Sequence, residues 1–253
     1  MRVAQHISLL LGLVFCIPLS LLAQGGQGNI SEEFVIDFLD VRKGLLSNFV
    51  TRTVSDDNNL KYFATEGGVS RYDGYGFRSY RPGQEYRELI SENIETLFKD
   101  RNNNIWIGTK SGGVSVLDIK TNQIRNYNHL IESPDRPHLR VIALNQDGEG
   151  RIWVGTWSKG VFVLDIQEEK LVAHYPSAQP VYKIIRDKHD NIWYITNTTL
   201  HKYDPSESRR FSFPTGHTMY DLVHDTARNR LWMVGNSGRK VCLQSFDFES
   251  QKV

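Results

Sequence analysis

The sequence predicts an all-β protein, a β-propeller of four-stranded antiparallel blades, and two observations carry that reading. One phrase recurs along the chain. Asp100–Thr109 reads DRNNNIWIGT, Asp147–Thr156 reads DGEGRIWVGT and Asp187–Thr196 reads DKHDNIWYIT. It loosens to RLWMVG from Arg230 and to NLKYFAT from Asn59, where Tyr62 stands in the Trp place. The steps between these aromatic anchors are 44, 47, 40 and 39 residues. A fixed period of that size marks a repeat architecture. The second observation is that each period holds four short apolar stretches parted by Gly, Asn and Asp turns, the pattern of an antiparallel blade.

The elements follow in order within each period. An alternating stretch such as Ile94 to Lys99 or Val181 to Ile185 comes first. A polar turn beginning with Asp leads into the stretch around the Trp. Small turns follow it: Ser111-Gly112-Gly113, Ser158-Lys159-Gly160, Ser237-Gly238. A third stretch closes on an aromatic or Leu and then Asp, at Tyr72-Asp73, Leu117-Asp118, Leu164-Asp165, Tyr203-Asp204 and Phe246-Asp247. A fourth ends on an aromatic at Tyr80, Tyr127, Tyr175 and Phe213. A superhelix of helix pairs is the rival at this period. It fails because no segment keeps apolar residues at helical spacing for about ten residues. The repeat aromatics Tyr62, Trp106, Trp153, Trp193 and Trp232 are expected on second strands, buried between blades.

The first residues are a different object. Arg2 precedes an apolar run from Ile7 to Ala23, broken by Pro18. This reads as a secretory signal peptide over 1–23, or an uncleaved anchor, followed by a linker over 24–33 and propeller repeats over 34–253. The location implied is outside the cytoplasm. Without Arg2 the chain carries 29 basic and 29 acidic residues, a net charge of zero. Nothing there draws a polyanion, so nucleic acid is not an expected partner. Cys16 lies in the signal and Cys242 stands alone, so no internal disulfide is expected.

The ends of the array raise two alternatives. Phe34 to Phe38 is apolar and lies where a fourth strand would be, ahead of the first inner strand. Six residues separate Asp118 from Ile124 and Asp165 from Leu171. The same count from Asp247 reaches Val253, so the fifth blade reads as truncated before its last strand. The leading strand would then either close a five-bladed ring or belong to a larger ring, since closure removes exposed edges.

The phrase D-x-x-x-x-I-W-I-G-T-x-x-G-G-V-x-x-L-D, together with Lys43 to Val50 and Glu66 to Gly74, resembles the two-component regulator propeller repeat. The resemblance covers roughly residues 34–253. It implies the periplasmic sensor region of a Bacteroidetes-type hybrid two-component histidine kinase, present as an N-terminal fragment. It also implies about five blades of an incomplete seven-bladed ring. In that family two propellers precede a β-sandwich domain, a membrane helix, a kinase, a receiver and a DNA-binding domain. The family senses carbohydrate fragments. The resemblance therefore implies an oligosaccharide ligand, attachment to the inner membrane and a homodimer in the full-length protein. This sequence holds no kinase or receiver segment.

Catalytic patterns are sparse. Gly235-Asn-Ser-Gly238 is one position short of a nucleophile elbow and reads as a hairpin turn. The eight His are scattered without metal-ligand spacing. Asp187 to Asn191 lacks the calcium-loop spacing. The expectation is a binding domain without enzyme activity, metal or cofactor. An exported propeller lyase is the alternative, with His138 and His217 at inner-loop positions as its acid and base.

In propellers the loops entering the inner strand and those joining second to third strand crowd one face. The repeat places Asn48, Asn93, Arg140, Tyr182 and Tyr220 there, with Lys110, Trp157, Lys159, Asn197 and Arg239. Trp157 is set apart, because its repeat equivalents Glu66, Lys110 and Asn197 are polar. An aromatic at such a position either stacks on a sugar ring or packs on a neighbouring loop. The candidate ligand site is Trp157 with Arg140, Lys159, Tyr182, Lys110, Asn197 and Tyr220.

Overall fold

Five antiparallel sheets follow one another in the unit Leu39–Val253 of a computed structural model, which describes residues 38–250 apart from 84, 87, 132–138 and 249. The first sheet holds β1 (Val50–Ser55), β2 (Lys61–Thr65), β3 (Gly68–Tyr72) and β4 (Phe77–Tyr80). The second holds β5 (Ile94–Lys99), β6 (Ile105–Thr109), β7 (Val114–Asp118) and β8 (Gln123–Asn126). The third holds β9 (Val141–Gln146), β10 (Ile152–Thr156), β11 (Val161–Asp165) and β12 (Lys170–Tyr175). The fourth holds β13 (Lys183–Arg186), β14 (Ile192–Ile195), β15 (Thr199–Asp204) and β16 (Arg209–Pro214). The fifth holds three described strands, β17 (Thr218–Asp225), β18 (Arg230–Ser237) and β19 (Lys240–Asp247). Every strand pairs with its sequence neighbour, so each sheet is an up-and-down blade. The expected signal peptide, linker and leading strand up to residue 37 lie outside the described residues, as do residues 251–253.

The recurring Asp is what makes the phrase fold. Asp100 Oδ1 accepts the backbone N–H of Asn102 at 2.9 Å and of Asn104 at 2.8 Å, closing the first turn. Its Oδ2 accepts the Trp106 indole N–H at 2.9 Å. Asp147 holds Trp153 at 2.9 Å and Asp187 holds Trp193 at 2.8 Å in the same way. Where Tyr62 replaces Trp, its hydroxyl reaches Asp56 at 3.3 Å. A buried indole N–H needs a partner, and the turn supplies one at fixed spacing. The fourth residue of each of the first four turns, Asn59, Asn103, Gly150 or Asp190, has positive φ, as does Asn229, the fifth residue of the last turn, which explains the Asn, Gly and Asp there.

The blades then stack through their inner strands. β1 packs beside β5, β5 beside β9, β9 beside β13 and β13 beside β17. The aromatic of each blade points forward: Tyr62 joins residues of the second blade, Trp106 the third, Trp153 the fourth and Trp193 the fifth. Each such burial contributes on the order of 2 kcal/mol. The Gly of the phrase sits where the next inner strand crosses. A Cβ on Gly108 would lie 2.6 Å from Thr96 Cγ2 and 2.7 Å from Val141 Cγ1.

The two ends of the array differ. Residues 39–49 cover the outer side of the first blade, with Leu45 buried and the Leu46 N–H bonded to Ser70 Oγ at 3.1 Å. At the other end the forward face of the fifth blade is open. Trp232 is only half-buried, which departs from the expectation for the repeat aromatics. Val223 pairs across from Trp232 and Leu243 across from Val234, and these two are 58% and 65% exposed. The physical reason is that a repeat aromatic is buried by the blade after it. Among the described residues β17 shares no comparable packing with β1, so the five described blades form an open array.

Candidate functional site

The site is built on the inner strands. In an antiparallel blade the approach to the first strand and the turn between the second and third strands lie at one end, the Asp turns at the other. Trp157 follows β10 directly, and its N–H donates to the Arg140 carbonyl at 3.0 Å, so these two residues share one corner of the third blade. Tyr182 precedes β13 and donates its N–H to the Ile195 carbonyl at 3.0 Å. Tyr220 lies within β17, at a slip of one residue in the register between Met219 and Asp221. The same slip occurs at Thr51, Glu95 and Ile142. A bulge re-aims its side chain, and here it does so in inner strands beside the axis.

Four of the seven expected residues form one strip across the third, fourth and fifth blades. The Arg140 guanidinium lies 4.3 Å from the Trp157 ring centre. Trp157 meets Tyr182 edge-on at 6.2 Å, and Tyr182 meets Tyr220 edge-on at 5.3 Å. Trp157 and Tyr220 remain 41% and 37% exposed, so the strip presents aromatic surface to solvent. Such cation–π and edge contacts contribute about 0.5–1 kcal/mol each and hold the rings in place. Burial and the neighbouring Tyr220 hydroxyl push the Tyr182 phenol above its ordinary range, opposed by Arg140. Tyr182 therefore acts as a neutral hydrogen-bonding group.

The structure adds partners that the sequence pattern missed. Glu95, from the second blade, bonds Arg140 at 3.0 Å and is mostly buried. Lys183 lies 3.4 Å from Asp221, one residue beyond the aromatic strip in β13 and β17. Burial lowers the Lys183 ammonium from its ordinary range, with Arg52 across the array acting the same way and Asp221 opposing both. Arg140 and Lys183 are thus each paired with a carboxylate. Glu95 and Asp221 lie at or beside a bulge, and a bulge leaves no mark in apolar alternation.

The other expected residues stand apart. The Lys110 N–H donates to the Asn93 carbonyl and the Lys159 N–H to Thr156 Oγ1, while both side chains are exposed. Among the described residues neither side chain joins the strip. Asn197 accepts the Met219 N–H at 2.7 Å through its backbone, and its buried side-chain oxygen has no partner. Asn48 bonds the Val41 N–H at 3.0 Å, within the lead-in segment. Arg239 is exposed in the last hairpin. Positions equivalent by repeat recur once per blade around the axis, so equivalence alone does not bring two of them into contact. His138 lies outside the described residues, and His217 is half-buried with its carbonyl bonded to Thr215 Oγ1 at 2.8 Å. Among the described residues no group of His, Cys, Asp and Glu could hold a metal, and no helix is long and apolar enough to cross a membrane.

The comparisons with known proteins agree with this architecture. The family model for the two component regulator propeller matches residues 88–111 and 135–158, each spanning the end of one blade's inner loop through its Trp strand. The fold of this chain is similar to the extracellular domain of BT3049 from B. thetaiotaomicron, described as a hybrid two component system. The identity is 17%, the TM-score 0.55, and the match covers 85% of this chain and 36% of that one. The extracellular domain of BT4673 from the same organism, described as a one component system, matches with 19% identity and a TM-score of 0.67, covering 86% and 32%. A gluconolactonase from Xanthomonas campestris matches with 14% identity and a TM-score of 0.54, covering 75% and 70%. This chain thus spans about a third of the length of the two sensor domains. No curated protein sequence matches it.

Proposed function

We propose that this chain is an exported sensor propeller, part of a longer two-component protein, and that it binds an oligosaccharide on the strip formed by Arg140, Trp157, Tyr182 and Tyr220. The observation that carries the reading is that strip: rigid, solvent-facing aromatic rings in line across three blades, with hydroxyl and guanidinium groups at their edges. Sugar rings offer apolar C–H faces and rims of hydroxyls, which such a surface matches. The paired charges at Glu95–Arg140 and Lys183–Asp221 favour a neutral saccharide. The matched repeats and the similarity to extracellular sensor domains support the sensor role and an exported location. In the longer protein the propeller would pass occupancy to a kinase or transcription output as a dimer across the inner membrane.

The test is a thermal-shift panel of neutral oligosaccharides on the purified chain, followed by calorimetry on the best ligand with wild type and Trp157→Ala. Losing one stacking ring is expected to weaken binding about fivefold or more, the equivalent of about 1 kcal/mol. Unchanged affinity in Trp157→Ala removes the strip from the binding site. The gluconolactonase likeness is one of fold alone.

A further inference from the structure

The junctions between blades are closed at their Asp-turn end, with one exception. At the first junction the Asp57 N–H donates to Asn103 Oδ1 at 2.9 Å, and Lys99 pairs with Asp57. At the second the Arg101 N–H donates to Gln146 Oε1 at 3.0 Å, and its guanidinium caps the Gly148 carbonyl at 3.0 Å. At the third, Gly148 sits so close to Asp190 that a Cβ would lie 2.7 Å from Oδ2. In each case the residue after the repeat Asp meets the turn of the next blade.

At the fourth junction that residue is Lys188, and among the described residues no bond from it crosses to the fifth blade. The sequence gives a cause. Asp147 to Trp153 and Asp187 to Trp193 are six residues apart, whereas Asp225 to Trp232 is seven. The added residue lengthens the fifth turn, where the Asp225–Trp232 bond is 3.3 Å. A cleft of about 240 Å³ opens there. Lys188, His189, Lys202 and His224 line it with Asn229, and Trp193 and Phe248 wall it. The His224 Nε2 atom is buried and has no hydrogen-bond partner. Asp187 at the back is already engaged by Trp193 and Asn191, and Lys202 is shared with Asp204 at 2.7 Å.

We propose that this cleft is a second ligand site, on the end of the blades opposite the aromatic strip, and that it takes a small organic carboxylate carrying a flat or apolar ring face. The carboxylate would lie against Lys188 and His224, where a charge-assisted hydrogen bond satisfies the buried imidazole nitrogen. The ring would lie on Phe248 and the edge of Trp193. The size admits a single six-membered ring, below the range of about 300–1,000 Å³ typical of drug-sized ligand sites.

The experiment uses the chain as it stands, titrated by calorimetry with D-glucuronate and with D-glucose as its neutral counterpart. Glucuronate is expected to bind with an affinity that falls as salt rises, at least about tenfold above glucose. His224→Leu and Lys188→Ala are each expected to weaken it about tenfold or more, the loss of one charge-assisted bond. Trp157→Ala is expected to leave it unchanged, which separates this site from the strip. Deleting Ala227 restores the six-residue spacing and is expected to abolish binding while the circular dichroism spectrum is kept. Absent binding, equal binding of glucose, or binding untouched by the Ala227 deletion and by His224→Leu overturns the proposal.

Discussion

Replacing Asp147 by Ala removes four interactions at one buried point. Asp147 is 3% exposed. Its Oδ1 accepts the N–H groups of Glu149 and Arg151, each at 3.0 Å. Its Oδ2 accepts the Trp153 indole at 2.9 Å and the Arg151 guanidinium at 2.8 Å. The alanine leaves a buried indole N–H without its acceptor and a largely buried guanidinium with only Glu149, at 2.9 Å, as its carboxylate partner. Each stranded donor costs about 1–3 kcal/mol, and breaking a buried ion pair from one side costs about 3–5 kcal/mol. These terms overlap on one carboxylate, so the expected loss is about 4 kcal/mol. Asp225→Ala is the internal control. Its bond to Trp232 is 3.3 Å, Trp232 is half-buried and the Arg228 partner is 72% exposed, so water replaces much of what is lost. The expected loss there is clearly the smaller of the two. Urea unfolding followed by tryptophan fluorescence measures both, with amide exchange to localise the change because repeat arrays open by units. Equal losses in the two variants would refute the reasoning that burial of the Asp–Trp pair sets its worth.

Three further outcomes are expected. Gly108→Ala pushes a methyl into Thr96 and Val141 and should cost about 1–3 kcal/mol by urea unfolding, with the second and third blades most affected. Burial holds His201 at about 4, below its ordinary value of 6.5, with Arg210 adding to the effect. The unfolded chain therefore takes up a proton first, and stability contributed by neutral His201 is full above about pH 6.5 and falls as pH drops toward 4. His201→Phe should flatten that window in pH-dependent melting, and leave the fall near pH 2, where Asp204 is held down by Lys202 and Ser206, in place. The open face of the fifth blade should make its amides exchange fastest and make the chain self-associate. Leu243→Lys should reduce that association in sedimentation velocity without lowering the melting temperature.

The blades were legible because the repeat phrase encodes the turn as well as the strand. The Asp and the Trp six residues on are bonded partners, the Asn or Gly between them takes positive φ, and the Gly after the Trp marks the crossing of the next blade. Trp232 was misjudged because its burial belongs to the blade that would follow it. The strip was half legible. Trp157, Arg140, Tyr182 and Tyr220 come together as the repeat positions suggested, but the Lys110 and Lys159 side chains are exposed and Asn197 is engaged through its backbone by Met219. Glu95 and Asp221 were hidden by register slips that alternation does not record. The cleft at the fourth junction had a sequence signal, the longer turn from Asp225 to Trp232, which is visible only once the Asp–Trp spacing is known to matter.

The central claim is that the aromatic strip receives a neutral saccharide while the other repeat tryptophans are structural. The chain has five tryptophans, so its indole N–H groups give five resonances when labelled with nitrogen-15. Titration with the neutral oligosaccharide that gives the largest thermal shift is predicted to move the Trp157 resonance. Those of Trp106, Trp153 and Trp193, locked to Asp100, Asp147 and Asp187, are predicted to stay in place. A Trp157 resonance that stays still while the ligand is bound contradicts the account.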